Sequence, residues 1–524
     1  MFYDNKIWIG DANGEKISIV PKMANRHGLI AGATGTGKTV TLKVLAESFS
    51  NAGVPVFLAD VKGDLAGMCL PGEDNENMQK RIADFKLNEC GFTYQSYPSV
   101  FWDIFGKNGI PLRTTVSEMG PLLLSKLMDL NDTQSDIMSI IFKIADDQNL
   151  LLIDTKDLKS MLQYVSENNK DFALEYGNIS KQSIGAITRN LVALEAQGAD
   201  EFFGEPALNI TDWFATGLDG RGTINILDCQ TLISSPAMYS TFLLWMMSEL
   251  FEALPEVGDM DRPRMVFFFD EAHLLFKDIS KALQEKIEQV VKLIRSKGVG
   301  IYFITQNPKD IPDSVLSQLG NKIQHALRAY TPAETKALKA VSDSFRPNPD
   351  FDTQEVLTEL GTGEALISVL DEQGIPGIVQ KCRVLPPQSF MGPISSEERT
   401  KVMNQSPLAL RYQQMVDRDS AYEFLQRHNA EAAQAAEEEK AAKLAAKEEE
   451  KELKRRAREE EKAAEKKNKA VKSGINRAAK SAGSTIGREL GKSVGQSIGG
   501  SFGKKLGGNL GASLGRSILG TFLK

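Results

Sequence analysis

The spacing of apolar residues changes along the chain, and each change predicts a different element. Residues 7–20 contain two short apolar runs separated by an Asn-Gly pair at residues 13–14, which predicts a β-hairpin. An apolar run at residues 28–31 is followed by apolar positions at helical spacing across residues 42–49 and by a second run at residues 54–59. This order of strand, helix and strand predicts a mainly parallel α/β sheet.

The middle of the chain has a different pattern of apolar and polar residues. Residues from about 115 to 207 are polar and helical in pattern. We therefore assign residues 115–222 to an α-helical subdomain inserted between two parts of the sheet, residues 1–114 and 223–390. Residues 364–385 predict a closing hairpin. The strand patterns that return after the insertion are Thr223–Leu227, Met265–Phe269, Gly300–Thr305 and Lys322–Ala329.

The last third of the sequence is helical and then low in complexity. Residues 391–428 predict a helical segment, and residues 429–472 consist almost entirely of Ala, Glu, Lys and Arg. These residues favour helix but supply too few large apolar positions for a coiled-coil seam. We therefore favour a solvated single helix or a disordered linker over a coiled coil. Residues 473–524 form a basic tail in which glycine recurs at every fourth position from Gly483 to Gly515.

Composition narrows the class of protein. The chain has 524 residues, 42% hydrophobic and 25% charged, which is typical of globular proteins and long enough for several packed units. It contains no apolar run of the length that spans a membrane and no basic-then-apolar start, so we expect a cytoplasmic protein. The four cysteines contain no CxxC pair, which argues against a disulfide framework or a cysteine-based zinc site.

Charge is distributed unevenly. The net charge is −7, but residues 473–524 carry eight Lys and Arg against one Glu, so the tail is +7 and residues 1–472 sum to −14. An acidic body offers no obvious electrostatic footprint for nucleic acid. Three interpretations of the tail stay open: a low-complexity disordered segment, a self-association surface, or attachment to the inner membrane surface as a peripheral protein.

The candidate chemistry begins with a glycine-rich loop. Lys38 in this loop is expected to reach the β- and γ-phosphates of a nucleotide, and the hydroxyl of Thr39 to ligate Mg²⁺. The apolar run before the loop and the helix after it give the strand–loop–helix context that phosphate binding requires. The segment that fits GxxxxGK[ST] at every fixed position is Gly32-Ala33-Thr34-Gly35-Thr36-Gly37-Lys38-Thr39.

Polar side chains at the ends of other predicted strands fit the same chemistry. Asp270 and Glu271 follow a buried-strand pattern, where the first would hold Mg²⁺ and the second would activate water as a general base. Gln306 ends another apolar strand, either as a group that senses the γ-phosphate or as an ordinary strand end. Asp60 ends the strand after the first helix and lies at the same predicted edge of the sheet.

These motifs, in this order, resemble the HerA–FtsK superfamily of P-loop ATPases. Residues 27–35, the segment Ala59-Asp60-Val61-Lys62-Gly63-Asp64 and residues 131–134 resemble more narrowly the HerA-helicase-like family typified by the bacterial protein YjgR. The resemblance covers roughly residues 5–425. It implies a RecA/FtsK-like P-loop NTPase fold, ATP and Mg²⁺ as substrate and cofactor, and assembly as a ring, which we expect to be a homohexamer.

The resemblance also implies roles for individual residues. Asp60, Asp270 and Glu271 would serve metal and water, and Gln306 would be the sensor. An arginine would enter a neighbouring subunit's site. Arg295, near the end of a predicted amphipathic helix, is one candidate, although an arginine there also suits the helix dipole; Arg328 is the second candidate.

Three functions remain compatible with the sequence. The first is a ring-forming ATPase motor acting on nucleic acid or another macromolecule. The second is a slow, nucleotide-switched scaffold, and the third is a membrane-associated assembly protein. DNA as a partner rests on family analogy alone. Glu271 favours the enzyme, because a protein that only binds nucleotide needs no carboxylate to activate water.

Overall fold

One mixed sheet forms the framework of the molecule. The structure, a computed structural model, describes residues 1–258, 260–277 and 281–478. Thirteen strands within these residues belong to the sheet. They are β1 (Phe2–Tyr3), β2 (Lys6–Ala12), β3 (Glu15–Ile19), β4 (Gly28–Ala31), β5 (Val56–Asp60), β6 (Ser99–Asp103), β7 (Ile110–Pro111), β8 (Ile224–Asp228), β9 (Met265–Phe269), β10 (Val299–Thr305), β11 (Asn321–Gln324), β12 (Glu364–Ser368) and β13 (Gln380–Val384).

The strand order divides the sheet into two parts. The sheet runs β1-β2-β13-β12-β11-β4-β10-β9-β5-β8-β6-β7, with β3 paired to β2. From β11 to β7 every pairing is parallel, whereas β12, β13, β2, β1 and β3 pair antiparallel. All residues of β4, β5, β8, β9 and β10 are buried, as expected for parallel strands covered on both faces. The predicted mainly parallel fold is confirmed.

Helices cover both faces of the parallel part. The helices that form and surround the insertion are α1 (Lys38–Asn51), α2 (Glu76–Asp84), α3 (Val116–Leu127), α4 (Asp132–Asp147), α5 (Thr155–Glu167), α6 (Asn169–Tyr176), α7 (Lys181–Glu195), α8 (Ala199–Phe202) and α9 (Pro236–Ala253). Those that follow are α10 (His273–Phe276), α11 (Lys281–Leu293), α12 (Asp313–Leu316), α13 (Pro332–Asp343), α14 (Thr353–Glu359), α15 (Ser396–Gln405), α16 (Pro407–Tyr412) and α17 (Ala421–Ala478).

Alternation along each strand sends side chains into two separate cores. Phe267 of β9 packs into a core shared with α3, α4, α5, α7 and α9. Its neighbour Phe268 packs into the opposite core with Leu45 and Phe49 of α1. Helices α3 to α8 lie within the predicted insertion, residues 115–222, but their apolar side chains are continuous with one face of the sheet. Residues 1–429 form one compact unit, so a separate subdomain stays a prediction.

Two sequence-based boundaries differ from the structure. The strand predicted at residues 322–329 ends at Gln324, because the next residue leaves the sheet to pass beneath the glycine-rich loop. The closing hairpin pairs β12 with β13 antiparallel, as predicted, but its strands are shorter and residues 369–379 form a long connection. The N-terminal hairpin is confirmed as β2 and β3.

The second unit of the chain begins at Ala430. Helix α17 continues through residue 478, and the side chains of residues 429–463 are all exposed, as expected for a solvated helix. Ion pairs one turn apart, such as Glu450–Lys454 at 2.6 Å, give such a surface modest support. Across the described residues, no helix combines the length and apolar character needed to cross a membrane. The predicted glycine repeat lies outside the described residues.

Candidate nucleotide-binding site

The predicted site residues follow neighbouring parallel strands. Strands β4, β10, β9 and β5 lie side by side in that order. The glycine-rich loop follows β4, Gln306 follows β10, Asp270 follows β9, and Asp60 is the last residue of β5. Because carboxyl ends of parallel strands share one edge of a sheet, these four groups border the same region. The sequence prediction that they lie at one edge is confirmed.

The glycine-rich loop, residues 32–37, has a backbone that only glycine accommodates at two points. Gly32 has a φ of 150°, and a Cβ there would lie 2.5 Å from the Cβ of His325. Gly37 has a φ of 114°, and its Cβ would lie 3.2 Å from the backbone nitrogen of Gly363. Thr34 and Gly35 are exposed at the tip of the loop. The result is a tight backbone turn at the N-terminus of α1, which suits an anionic phosphate.

Lys38 lies at the base of this loop. Its Nζ donates to the carbonyl oxygens of Gly32 at 2.6 Å and Ala33 at 3.0 Å. Burial lowers the pKa of the Lys38 ammonium, the Asp270 carboxylate opposes that shift, and the charge of Lys62 adds to it. Thr39 is half-buried in the first turn of α1. A nucleotide phosphate would meet an ammonium already enclosed by the loop.

Hydrogen bonds that involve backbone groups hold Asp270 and Glu271 in place. The Asp270 Oδ1 accepts the amide N–H of Glu271 at 2.9 Å, and the Tyr239 hydroxyl donates to the Asp270 carbonyl at 2.6 Å. Burial raises the pKa of Asp270 to about 6, and the neighbouring Glu271 carboxylate adds to this shift. Glu271 has a φ of 48°, a left-handed conformation that is strained for a residue with a side chain.

The carboxylate of Glu271 keeps one oxygen available. Within the described part of the chain, Glu271 Oε2 is buried and makes no hydrogen bond. His273 Nδ1 lies 3.3 Å from it, but the two atoms are not in hydrogen-bonding geometry. A carboxylate oxygen without a donor can accept a hydrogen bond from a water molecule, as a general base must. His273 was not among the residues predicted from sequence; its spacing two residues after Glu271 was the available signal.

The carboxylate of Asp60 already has backbone partners in its own loop. Its two carboxylate oxygens accept the backbone N–H groups of Gly63 at 2.7 Å and Leu65 at 3.1 Å. Burial raises the pKa of Asp60 to about 7, with a further contribution from Asp64. The side chain thus shapes the loop after β5, and a direct contact with metal or nucleotide stays a prediction. This loop carries Lys62, whose exposed ammonium acts electrostatically on Lys38 and Asp270 and which the sequence did not single out.

Gln306 is exposed beside the start of the glycine-rich loop. Thr305 of β10 pairs with Ala31 of β4, and the Thr305 carbonyl accepts the N–H of Gly32 at 3.3 Å. The next residue along β10 therefore borders the loop. This position suits a side chain that reports on the terminal phosphate, and the sensor role of Gln306 stays a prediction.

The two candidate arginines occupy different places. Arg295 lies in a 3₁₀ turn, Ile294–Lys297, just before β10 begins, and is therefore at the amino edge of the sheet. Its charge acts on buried His27, which precedes β4 at that edge. Arg328 follows β11 at the carboxyl edge, is exposed and donates to the Thr358 carbonyl. Since β10 has seven residues, about 20 Å of strand separates Arg295 from the edge that carries its own loop.

The fold and the site together define a P-loop NTPase of the RecA/FtsK-like type. The strand that carries the sensor position lies between the strand of the phosphate loop and the strand of the paired carboxylates. The profile of the helicase HerA-like C-terminal family matches residues 6–506. The chain belongs to this family.

The chain is also similar to individual proteins. The DNA double-strand break repair helicase HerA of Sulfolobus acidocaldarius is 22% identical over 411 residues, covering 76% of this chain and 72% of that protein. The protein of the same description from Sulfurisphaera tokodaii is 23% identical over 379 residues, with coverages of 70% and 67%. The plasmid coupling protein TrwB in complex with ADP and Mg²⁺ superposes with a TM-score of 0.49 at 14% identity, covering 71% and 88% of the two chains.

Proposed function

We propose that the protein is a Mg²⁺-dependent ATP hydrolase that works as a ring-forming motor on nucleic acid or another macromolecule. The observation that supports hydrolysis most directly is the buried Glu271 Oε2, which lacks a hydrogen bond within the described residues. It lies at the strand end two strands from the phosphate loop, where a general base for water belongs. Nucleotide binding alone would not require this carboxylate.

The residues divide the chemistry among them. The backbone of residues 32–37 and the ammonium of Lys38 would bind the phosphates, and Thr39 and Asp270 would hold Mg²⁺, which supplies charge neutralisation when bound. Glu271 would orient water and accept its proton. Gln306 would contact the terminal phosphate. The tight glycine-rich loop fits a phosphate because it offers backbone N–H donors. The carboxylates of Asp270 and Glu271 fit Mg²⁺ because they offer hard oxygen ligands.

Turnover of purified full-length protein tests this proposal. We expect ATP hydrolysis with Mg²⁺, loss of hydrolysis with EDTA, and no activity in Lys38→Ala, which serves as the blank. A parallel panel with GTP identifies base preference, for which no residue is assigned. Nucleotide binding without turnover above the Lys38→Ala blank would contradict the enzyme and favour a nucleotide-switched scaffold.

The position of Arg295 supports an assembly in which one subunit completes the site of the next. An arginine at the amino edge cannot reach a phosphate at the carboxyl edge of the same sheet, so any action on ATP must occur in a neighbouring subunit. A head-to-tail contact of this kind generates a ring when the rotation between subunits closes. We propose a homohexamer with Arg295 as the inserted arginine, and Arg328 as the alternative.

Mixed rings test the assignment. Arg295→Ala subunits retain an intact phosphate loop, and Lys38→Ala subunits retain Arg295. Each variant alone should be inactive, whereas a mixture of the two, assembled together, should recover part of the wild-type turnover. No recovery in verified mixed rings, with recovery in an Arg328→Ala and Lys38→Ala mixture, would assign the role to Arg328.

DNA is the macromolecular substrate that the relatives suggest. Two similar proteins are described as DNA double-strand break repair helicases. Stimulation of ATP turnover by duplex DNA, single-stranded DNA or RNA is the corresponding test, with salt titration to separate binding from turnover. If none of the three changes turnover, we would look for a protein or lipid partner. Cosedimentation with anionic liposomes, comparing full length with a chain ending at Lys472, then tests whether the basic tail binds a membrane surface.

A further inference from the structure

His325 lies directly beneath the glycine-rich loop. It follows β11 and is fully buried. Its Nε2 lies 2.9 Å from the Oγ1 of Thr41 in α1, and its Nδ1 lies 2.8 Å from the carbonyl oxygen of Glu364 in β12. One side chain thus connects three separate elements at the edge of the sheet that binds nucleotide.

The direction of these hydrogen bonds follows from the partners. Burial lowers the pKa of His325 to about 4, so the imidazole is neutral and carries one proton. The carbonyl of Glu364 can only accept, so Nδ1 donates to it. Nε2 is therefore an acceptor, and the Thr41 hydroxyl donates to it. Both ring nitrogens are satisfied, and the tautomer is fixed by the geometry.

The backbone around His325 continues the same contact. The N–H of His325 donates to Ala31 at 2.7 Å, and the N–H of Ala33 donates to Ala326 at 2.9 Å. The Cβ of His325 fills the space that a side chain at Gly32 would need. The beginning of the loop is therefore packed against residues 325–326 without room for another atom.

The far end of the loop is held by the neighbouring turn. The N–H of Gly363 donates to the carbonyl of Thr36 at 3.0 Å, and Gly363 precedes the Glu364 whose carbonyl accepts from His325. Both ends of the loop thus rest on segments that His325 joins. Loss of this imidazole would remove the side-chain hydrogen bonds that join α1 to β12 beneath the loop.

We propose that His325 is a positioning residue of the nucleotide site, acting through Thr41 and Gly32 to hold the loop in its phosphate-binding shape. The proposal rests on the nucleotide chemistry proposed above. His325 touches the loop and not the phosphates, so its effect should fall on nucleotide affinity more than on the chemical step.

Two conservative variants separate this role from general stability. His325→Asn keeps an amide donor near the position of Nδ1 but removes the acceptor for Thr41. Thr41→Val removes the hydroxyl and keeps the shape. Because each loses one buried hydrogen bond, we expect each to raise the ADP dissociation constant about tenfold. The ADP dissociation constant of the double variant should exceed that of the more impaired single variant by no more than about twofold, since both substitutions remove the same contact.

The measurements are ADP titration by calorimetry and ATP turnover on the full-length protein. We expect KM for ATP to rise about tenfold while kcat changes less than about threefold, since the contact supports binding rather than chemistry. Thr41→Ser retains the hydroxyl that Thr41→Val removes, so it should bind ADP with the wild-type affinity. Ser48→Ala, a buried hydroxyl on the same helix that bonds the Val44 carbonyl at 2.5 Å, is the matched control and should bind ADP as the wild type does.

Three results would overturn the proposal. They are unchanged ADP affinity in both single variants, additive losses in the double variant, or affinity losses matched by Ser48→Ala. ADP binding is measured independently of turnover, so a wild type that binds ADP but does not hydrolyse ATP would refute the proposed function and leave the role of His325 open to confirmation.

Discussion

At each edge of the parallel sheet a buried histidine joins separate elements, but the two edges carry different chemistry. At the carboxyl edge, neutral His325 joins α1 to β12 beneath the phosphate loop. At the amino edge, buried His27 contacts the Val291 carbonyl of α11 at 2.8 Å and accepts the N–H of Ile301 in β10 at 3.0 Å. Burial lowers the pKa of both imidazoles to about 4.

The difference lies in what each histidine supports. The carboxyl edge holds the groups that we propose to bind nucleotide and activate water, and the amino edge holds Arg295, four residues after Val291. A single chain therefore presents the two halves of the proposed hydrolysis site on opposite edges. The comparison predicts that substitutions beneath the glycine-rich loop, at the carboxyl edge, affect nucleotide affinity, whereas substitutions at the amino edge affect only turnover in the assembled ring.

The largest expected effect is at the amino edge. Arg295→Ala should reduce kcat by about 10³-fold or more, the range of an arginine supplied by a neighbour. ADP affinity should stay within about twofold, because the residue is remote from its own loop. Steady-state turnover and calorimetry measure the two quantities. Near-normal turnover would remove Arg295 from the role and end the functional contrast between the edges.

At the carboxyl edge, Glu271→Gln should reduce kcat by about 10²–10⁴-fold, because the amide cannot accept a proton from water. ATP should still bind, so the variant should accumulate bound ATP in a filter assay. Glu249→Gln, a carboxylate of α9 away from the site, is the matched control. If Glu271→Gln hydrolyses ATP at the rate of that control, another group must be the base.

The raised pKa of Asp270, at the carboxyl edge, predicts that the Mg²⁺ requirement of ATP turnover depends on pH. The carboxylate is ionised above pH 6 and protonates as the pH falls through about 6. Below that value, the Mg²⁺ concentration for half-maximal turnover should rise about tenfold per pH unit, since a protonated carboxyl is a poor metal ligand. Measured at fixed saturating ATP between pH 5 and 8, a flat Mg²⁺ requirement would show that Asp270 does not ligate the metal.

The smallest effect tests the amino-edge histidine. His27→Asn removes the contact with Val291 and loosens the segment that leads to Arg295. We expect kcat to fall about threefold to tenfold, which corresponds to the loss of one buried hydrogen bond. ADP affinity should not change. Weakened ADP binding, similar to that expected for His325→Asn, would show that the two edges are not separable.

Much of the site could be predicted because its residues follow strands in the sequence. The apolar runs before Asp270 and Gln306 identify buried strands, and parallel strands bring their carboxyl ends together. The edge assignment of Arg295 was also accessible, since it precedes the strand whose end carries Gln306. The sequence alone does not show that this separation prevents action within one subunit, because the distance from Arg295 to the loop depends on the folded sheet.

The contacts that sequence reasoning missed, those of His325 and Asp60, all depend on the folded structure. His325 was hidden inside a predicted strand, residues 322–329, whose apolar pattern continues although the backbone leaves the sheet after Gln324. Its partners Thr41 and Glu364 are 284 and 39 residues away, so no local spacing could reveal them. The backbone partners of Asp60 were equally hidden, because the hydrogen bonds that its carboxylate accepts from its own loop depend on turn geometry rather than on residue type.

The left-handed backbone of Glu271 has an evolutionary consequence. A residue with a side chain in that conformation destabilises the fold by about 1–3 kcal/mol relative to an unstrained alternative. Such strain is tolerated where the side chain has a role, and the role we propose for Glu271 is that of the general base. In relatives that bind nucleotide without hydrolysing it, we therefore expect drift at the equivalent position to favour glycine or asparagine.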